Sequence, residues 1–253
     1  MLATRVIPTL LMRNTGLVKG VKFKNHKYVG DPVNAVKIFN DKEADELIIL
    51  DINATVDRRE PNYELIADIA SQAFMPFAYG GGINTIEQIE KIFRLGVEKI
   101  ILNSAACNDL QLVSEASSIA GSQSIVVSID VKKSLFGKYK VFSHSNSINT
   151  GLEPIEFATQ IEKAGAGEIM VTSIDNEGTG NGYDYKLIQQ IADAVTIPVI
   201  ASGGAGSMRH LKEAVDSGAS AVAAGSLFTF HGKHRAVLIT YPEYQELKSL
   251  FRG

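Results

Sequence analysis

Two groups of glycines, each followed by a serine, and three aspartates at the ends of apolar runs are the residues here that could form a site. The first group is Gly80, Gly81 and Gly82, with Asn103 and Ser104 after the next run; the second is Gly203 and Gly204, with Gly225 and Ser226 in the matching place. Glycine has no Cβ, so backbone N–H groups at such turns can approach an anion closely, and a helix beginning just beyond adds a favourable dipole. Phosphate is the ligand this chemistry suits. One such turn alone is as often a plain glycine turn, but two matched turns imply an elongated ligand with a phosphate at each end. Asp51, Asp130 and Asp175 close Val- and Ile-rich runs, point towards the same mouth on this reading, and are the acid–base candidates. Asp51 is expected to bond its own loop or cap the next helix. Asp130 is followed by a hairpin pattern instead of a helix, so it lacks a capping role and is the preferred catalytic residue.

Other chemistries find little support. His26, His144, His210, His231 and His234 are scattered without metal-ligand spacing and read as solvated, so neither a metal nor a cofactor is expected. Cys107 is the sole cysteine, which excludes an intramolecular disulfide and fits a reducing, cytoplasmic setting. Ser202 is not in a nucleophile-elbow pattern. A net charge of -3 and a pI near 6.0 leave no overall basic surface, so nucleic acid is not expected as a partner. The opening run MLATRVIPTLLMRN has neither a cleavage pattern nor the length of a membrane span, and reads as a first strand.

The elements that must position these residues alternate. Eight short apolar runs, RVIPTLL, ELIILDI, PFAYGGG, KIILNSA, IVVSID, EIMVTSID, IPVIASGG and AVAAGS, read as strands of a parallel sheet covered on both faces. Between them lie amphipathic segments ending in glycine, such as TIEQIEKIFRLG and SMRHLKEAVDSG. A doubly wound open sheet shows the same alternation, but eight strands in 253 residues, with polar residues just after each, favour one (β/α)8 barrel domain over residues 1–253. The halves share a register. Gly81 precedes Gly96 by fifteen positions and Ser104 by twenty-three, as Gly203 precedes Gly218 and Ser226; Asp51–Thr55 and Asp175–Thr179 are both four apart. Two segments stand outside the repeat: the lysine-rich LVKGVKFKNHKYVGDP, expected to be a mobile loop over the mouth, and VKKSLFGKYKVFSHSNSINTG, expected to form a hairpin on the same side.

The runs MLATRVIP, LVKG, GDPV, DELIILDI, YGGGI, GSQSIVVSIDVKK, NTG, GAGEIMVTSID, GYD and IPVIASGGAGSM together resemble the cyclase subunit of imidazole glycerol phosphate synthase, over nearly the whole chain. The resemblance implies a barrel that receives ammonia from a glutaminase subunit docked at its amino-terminal face. It would use that ammonia on a bis-phosphorylated ribulosyl substrate, giving imidazole glycerol phosphate and an aminoimidazole carboxamide ribotide. Carried over residue by residue, Gly82, Asn103 and Ser104 would hold one phosphate, and Gly178, Gly204, Gly225 and Ser226 the other. Lys19 falls on the mobile-loop lysine of the family and Asp130 on one of its two acid–base aspartates. Arg5, Glu46, Lys99 and Glu168 fall on a ring of charges that gates ammonia at the barrel floor. Thr179, Glu177, Asp51 and Asp175 complete the mouth.

One departure is serious. The family's second aspartate, in a run like CLDVKDG, is replaced here by Leu11 in TLLMRNTG, and a leucine transfers no proton. Loss of a positioned acid or base typically costs about 10²–10⁴-fold in rate. Glu177 stands where Asp is usual, and the tail FHGKHRAVLITYPE differs as well. These changes resemble a side branch linked to surface-sugar biosynthesis, in which barrel and glutaminase supply ammonia to a separate amidotransferase that makes acetamidino sugars. Three readings follow: a cyclase, an ammonia-conducting subunit with little chemistry of its own, and the related sugar isomerase, which Leu11 and the floor charges disfavour.

Overall fold

The computed structural model describes residues 4–134, 137–143, 147–232 and 234–252; Phe136 of the FGKY run and His144 lie outside the described residues. The apolar runs form β1 (Arg5–Arg13), β2 (Leu47–Asp51), β3 (Phe77–Gly80), β4 (Lys99–Leu102), β5 (Ile125–Lys133), β6 (Glu168–Ser173), β7 (Val199–Ser202) and β8 (Ala221–Ala224). Each pairs in parallel with the next, and β8 returns to β1 with Arg5 beside Ala221. The ring is closed. An open sheet would leave β1 without that second neighbour, so the pairing excludes it.

Both faces of the ring are buried, which is why the runs are apolar without a break. Ile7, Ile48, Ala78, Ile101, Val126, Met170, Ile200, Ala221 and Ala223 point inward and pack on one another. Their neighbours, among them Val6, Ile49, Tyr79, Ile100, Val127 and Val222, point outward against the helices. The outer helices are α1 (Pro32–Asp41), α2 (Tyr63–Ala70), α3 (Ile86–Arg94), α4 (Gln111–Ala120), α5 (Pro154–Lys163), α6 (Tyr185–Ala192), α7 (Met208–Asp216) and α8 (Tyr244–Phe251). Local chemistry sets their starts: Thr85 and Gln88 form a capping box on α3, and the side chains of Asp31, Asn62 and Asp184 accept N–H bonds at the starts of α1, α2 and α6.

The lysine-rich segment after β1, expected as a mobile loop over the mouth, is built as a hairpin. Its strands, Gly16–Val21 and Lys24–Gly30, continue the β1 pairing antiparallel, with Leu11 opposite Val18. The turn residues Lys22 and Phe23 both have positive φ, 52° and 59°, the geometry of a two-residue turn normally made by Asn and Gly. Glycine-free sequence hides such a turn. The tip is held from outside instead: Lys22 N donates to Glu177 O at 2.9 Å, and Phe23 N to Glu177 Oε2 at 3.2 Å. The segment after β5 is a hairpin as expected, pairing Asp130 with Phe142 through the strand Tyr139–Ser143.

The unusual tail has a structural role. Tyr241 packs edge-on against Phe39 and beside Phe228, and its hydroxyl donates to Val6 O at 2.8 Å while lying 3.4 Å from Asp45 N. That ties the last segment to the start of β1. Tyr241→Phe is expected to lower unfolding stability by about 1–2 kcal/mol in urea denaturation, because a buried carbonyl loses its partner.

Candidate functional site

The mouth follows from counting in twos along the inward row of each strand. Arg5, Ile7, Thr9 and Leu11 form one row; Lys99, Ile101 and Asn103 another; Val126, Ser128 and Asp130 a third; Glu168, Met170 and Thr172 a fourth. Their last members line one cavity at the carboxyl ends of the strands. Asp130 is in phase, and its Oδ2 accepts from Asn103 Nδ2 at 3.3 Å. Burial pushes the Asp130 carboxyl up to about 7, with Glu177 adding to the rise, while hydrogen bonds from Ser128, Asn103 and Thr172 oppose it. Ser128 and Thr172 were not singled out as site residues from sequence; the two-residue step from the floor is the signal that finds them.

Asp51 and Asp175 are out of phase. Asp51 borders the cavity, but its Oδ1 accepts from Asn53 N at 3.1 Å and Ala54 N at 3.0 Å and its Oδ2 lies 3.4 Å from Arg59, so it organises the loop after β2. Asp175 does not line the cavity, contrary to expectation. Its Oδ2 accepts from Lys133 N at 2.9 Å and so braces the second hairpin. Thr179 is also outside, donating to Asn176 O at 2.7 Å within its own loop. Strand β6 ends at Ser173, and the chain has turned away before either residue.

All seven residues expected to hold phosphate border the cavity. On one side Gly82 has φ +75°, where a Cβ would lie 2.9 Å from Arg59 O, and Asn103 donates to Ser128 O at 3.0 Å. On the other, a Cβ on Gly204 would lie 2.1 Å from Gly182 O, and one on Gly225 would lie 1.9 Å from Lys19 Nζ. Lys19 therefore reaches the second cradle. Its ammonium is buried, donates to Thr9 O at 2.7 Å, and is pulled down to about 8 by desolvation, with Glu177 opposing that fall. Thr9 Oγ1, also buried, has no hydrogen-bond partner among the described residues. Leu11 lines the cavity where the resemblance leads one to expect a carboxylate, and it is joined by Phe23 and His26 from the hairpin. His26 is half-buried there, not solvated as expected.

The floor lies at the opposite ends of the strands. Arg5 contacts Glu46 at 2.5 Å and Glu168 at 3.0 Å, and Lys99 contacts the same two carboxylates at 3.0 and 3.1 Å. Each cation thus touches both anions. The ring alternates in sign, which offsets much of the cost of taking four charges from water. Above it lies the apolar inward layer of Ile7, Ile48, Ile101 and Met170, and above that the mouth. Among the described residues no cluster of His, Cys, Asp or Glu could hold a metal, and no helix is long and apolar enough to cross a membrane.

The raised proton affinity of Asp130 has a measurable sign. Its folded-state value lies above the ordinary carboxylate value, so the favourable contribution of its protonated form is complete at low pH and is lost as pH rises through about 7. Asp130→Asn is expected to raise the melting temperature at a pH near 8 and to leave it unchanged near pH 4. Thermal denaturation at the two pH values checks this.

Comparison with known proteins places the chain. Residues 5–235 match the histidine biosynthesis protein family. A Pseudomonas aeruginosa protein named "Putative imidazole glycerol phosphate synthase subunit hisF2" is 54% identical over 98% of this chain and 99% of its own length. The similarly named hisF3 of Vibrio vulnificus is 50% identical over 98% and 96%. The imidazole glycerol phosphate synthase subunit HisF of Endomicrobium trichonymphae is 45% identical over 91% and 88%. An eight-stranded ring with paired glycine cradles at its mouth and alternating charges at its floor, matched to these relatives over almost its whole length, belongs to the histidine biosynthesis protein family as a HisF-like member.

Proposed function

We propose that this barrel is the ammonia-receiving subunit of a glutamine amidotransferase complex. A glutaminase docks at its amino-terminal face, beneath Arg5, Glu46, Lys99 and Glu168. The observation that carries this reading is the pairing of a complete floor ring with a mouth that has Leu11 in place of a proton-transferring carboxylate. A neutral ammonia molecule passes an apolar interior at little cost, whereas ammonium does not. The layer of Ile7, Ile48, Ala78, Ile101, Met170 and Ala221 between floor and mouth would therefore carry the neutral form and discriminate against the ion. Opening requires one ion pair of the ring to swing aside, and the two cations are the freer members to do so, with Arg5 and Lys99 28% and 17% exposed against 4% and 12% for Glu46 and Glu168.

At the mouth the residues retain binding and part of the acid–base equipment. Gly82, Asn103 and Ser104 face Gly178, Gly204, Gly225 and Ser226 across the cavity, an arrangement for a ligand with two phosphates. Asp130 and Lys19, shifted to about 7 and about 8, both exchange protons near neutrality. With Leu11 opposite, ring closure lacks its second proton-transfer group. The branch that fits best is therefore delivery of ammonia to a separate amidotransferase that converts an acetamido sugar to an acetamidino sugar for surface polysaccharide, in the cytoplasm. The alternative is a working cyclase with lyase chemistry on the bis-phosphate substrate, which the intact cradles and Asp130 favour.

Two assays separate these readings. With saturating ammonium and the bis-phosphorylated ribulosyl substrate, the native chain is expected to form no ring product. Leu11→Asp is expected to gain activity by about 10²-fold over that background. Efficient cyclisation by the native chain would establish the alternative. In the complex with its glutaminase, Lys99→Ala is expected to let glutamine-derived ammonia escape to solvent, read as free ammonia per glutamine hydrolysed. Unchanged coupling would remove the floor ring from the proposed path. The same variant leaves Glu46 and Glu168 sharing Arg5 alone and is expected to lose about 3 kcal/mol of stability.

A further inference from the structure

We propose that His26, on the return strand of the first hairpin, is a further anion-binding residue of the mouth, donating from its imidazole to a phosphate held by Gly178, Gly225 and Lys19. The inference rests on the reading of that cradle as a phosphate site. It places the hairpin over the ligand as one of its binding walls.

Two contacts meet at Gly20, and a third is made by its neighbour. A Cβ built on Gly20 would lie 2.9 Å from His26 Cδ2 and 3.2 Å from Nε2, so the imidazole lies flush on that backbone. The carbonyl oxygen of the same residue is 2.3 Å from where a Cβ on Gly178 would be. The adjacent residue, Lys19, brings its ammonium to within 1.9 Å of the corresponding position on Gly225. His26 and Gly178 thus meet at Gly20, Lys19 is the next residue along the strand, and His26, Lys19, Gly178 and Gly225 all line the cavity. Among the described residues no hydrogen bond satisfies either ring nitrogen of His26. A neutral imidazole has one N–H to donate, and a protonated one has two. Nearby, the buried and unpartnered Thr9 Oγ1 is a second polar group of this cavity with bonding capacity to spare.

The electrostatic setting gives the proposal its signature. Burial, Arg13 and Lys19 hold the imidazole below its ordinary proton affinity. The other charged groups lining the same cavity are Asp51, Asp130 and Glu177, and Arg235 of the tail has its Nη1 3.4 Å from Gly178 O. A dianion entering beside Lys19 reverses the local sign and draws a proton onto His26. Anion binding and protonation are then coupled, each strengthening the other by the same factor.

The test uses the full-length chain and inorganic sulfate, which keeps its double charge where phosphate would titrate. Histidine side-chain NMR follows His26 between about pH 5 and 9 with and without sulfate, while the amides of Gly178, Gly204 and Gly225 report occupancy independently. Sulfate is expected to raise the His26 midpoint. Wild type is expected to bind sulfate about fivefold more tightly than His26→Leu near pH 6, with the gap closing near pH 8. His26→Asn, which keeps a donor but does not titrate, is expected to retain part of the affinity without the pH-dependent gap. If the glycine amides respond while the His26 midpoint stays fixed and both variants bind like wild type, the role of His26 is overturned and the cradle stands. If the amides do not respond in wild type, the phosphate reading of the cradle falls, and the inference falls with it.

Discussion

Closure of β8 onto β1 is the constraint from which the rest of this molecule follows. With each strand hydrogen-bonded on both sides, every second residue is committed to the inside of the ring and the others to the helix layer. The inside is too narrow for water-filled space at its waist, so the inward rows are apolar there and polar only at their two ends. The floor charges and the mouth groups are the two ends of the same rows. Arg5 and Leu11 are three steps apart on β1, and Glu168 and Thr172 two steps apart on β6.

The two ends handle the cost of desolvation differently. At the floor, two cations and two anions are in mutual contact, so each charge taken from water is offset by neighbours of opposite sign. At the mouth, Asp130 and Lys19 are drawn towards their neutral forms from opposite directions, because burial disfavours either charge and neither has an ion pair among the described residues. On the function proposed above, a floor built this way would be a barrier that opens by rearrangement. A mouth built this way holds groups whose protonation is adjustable near neutrality.

Glycine at a few positions makes the mouth compact enough for this. Gly178 passes so close to Gly20 that any side chain there would displace the hairpin, and at φ +70° only glycine adopts the backbone without strain. Glu177, one residue earlier, holds the hairpin tip through both its backbone and its carboxylate. The long side chain at this position therefore has a place in the fold. It spans the gap to Phe23 N and supports a turn whose two residues would be strained unaided. The hairpin in turn supplies Lys19, Phe23 and His26 to the cavity.

Much of this was legible in the residues alone. The eight apolar runs, the glycine spacings shared by the two halves and the matched cradles are one-dimensional facts, because strand period and turn chemistry are local, whereas the floor charges and the leucine at position 11 were found through the family resemblance. The preference for Asp130 over Asp51 was legible too, since a hairpin follows one and a turn the other. What the sequence could not settle was set by contacts between distant segments. Asp175 falls off the inward row once β6 ends and braces a hairpin more than forty residues away in sequence. The lysine-rich segment is a hairpin because a residue over 150 positions further on holds its tip. His26 looked like a surface histidine for the same reason: only that fold-back turns its ring towards the mouth. Local propensity determined which elements this protein has and which residues end them. Ring closure and long-range hydrogen bonds determined which of those residues share a cavity, because a side chain's environment depends on what the rest of the chain packs against it.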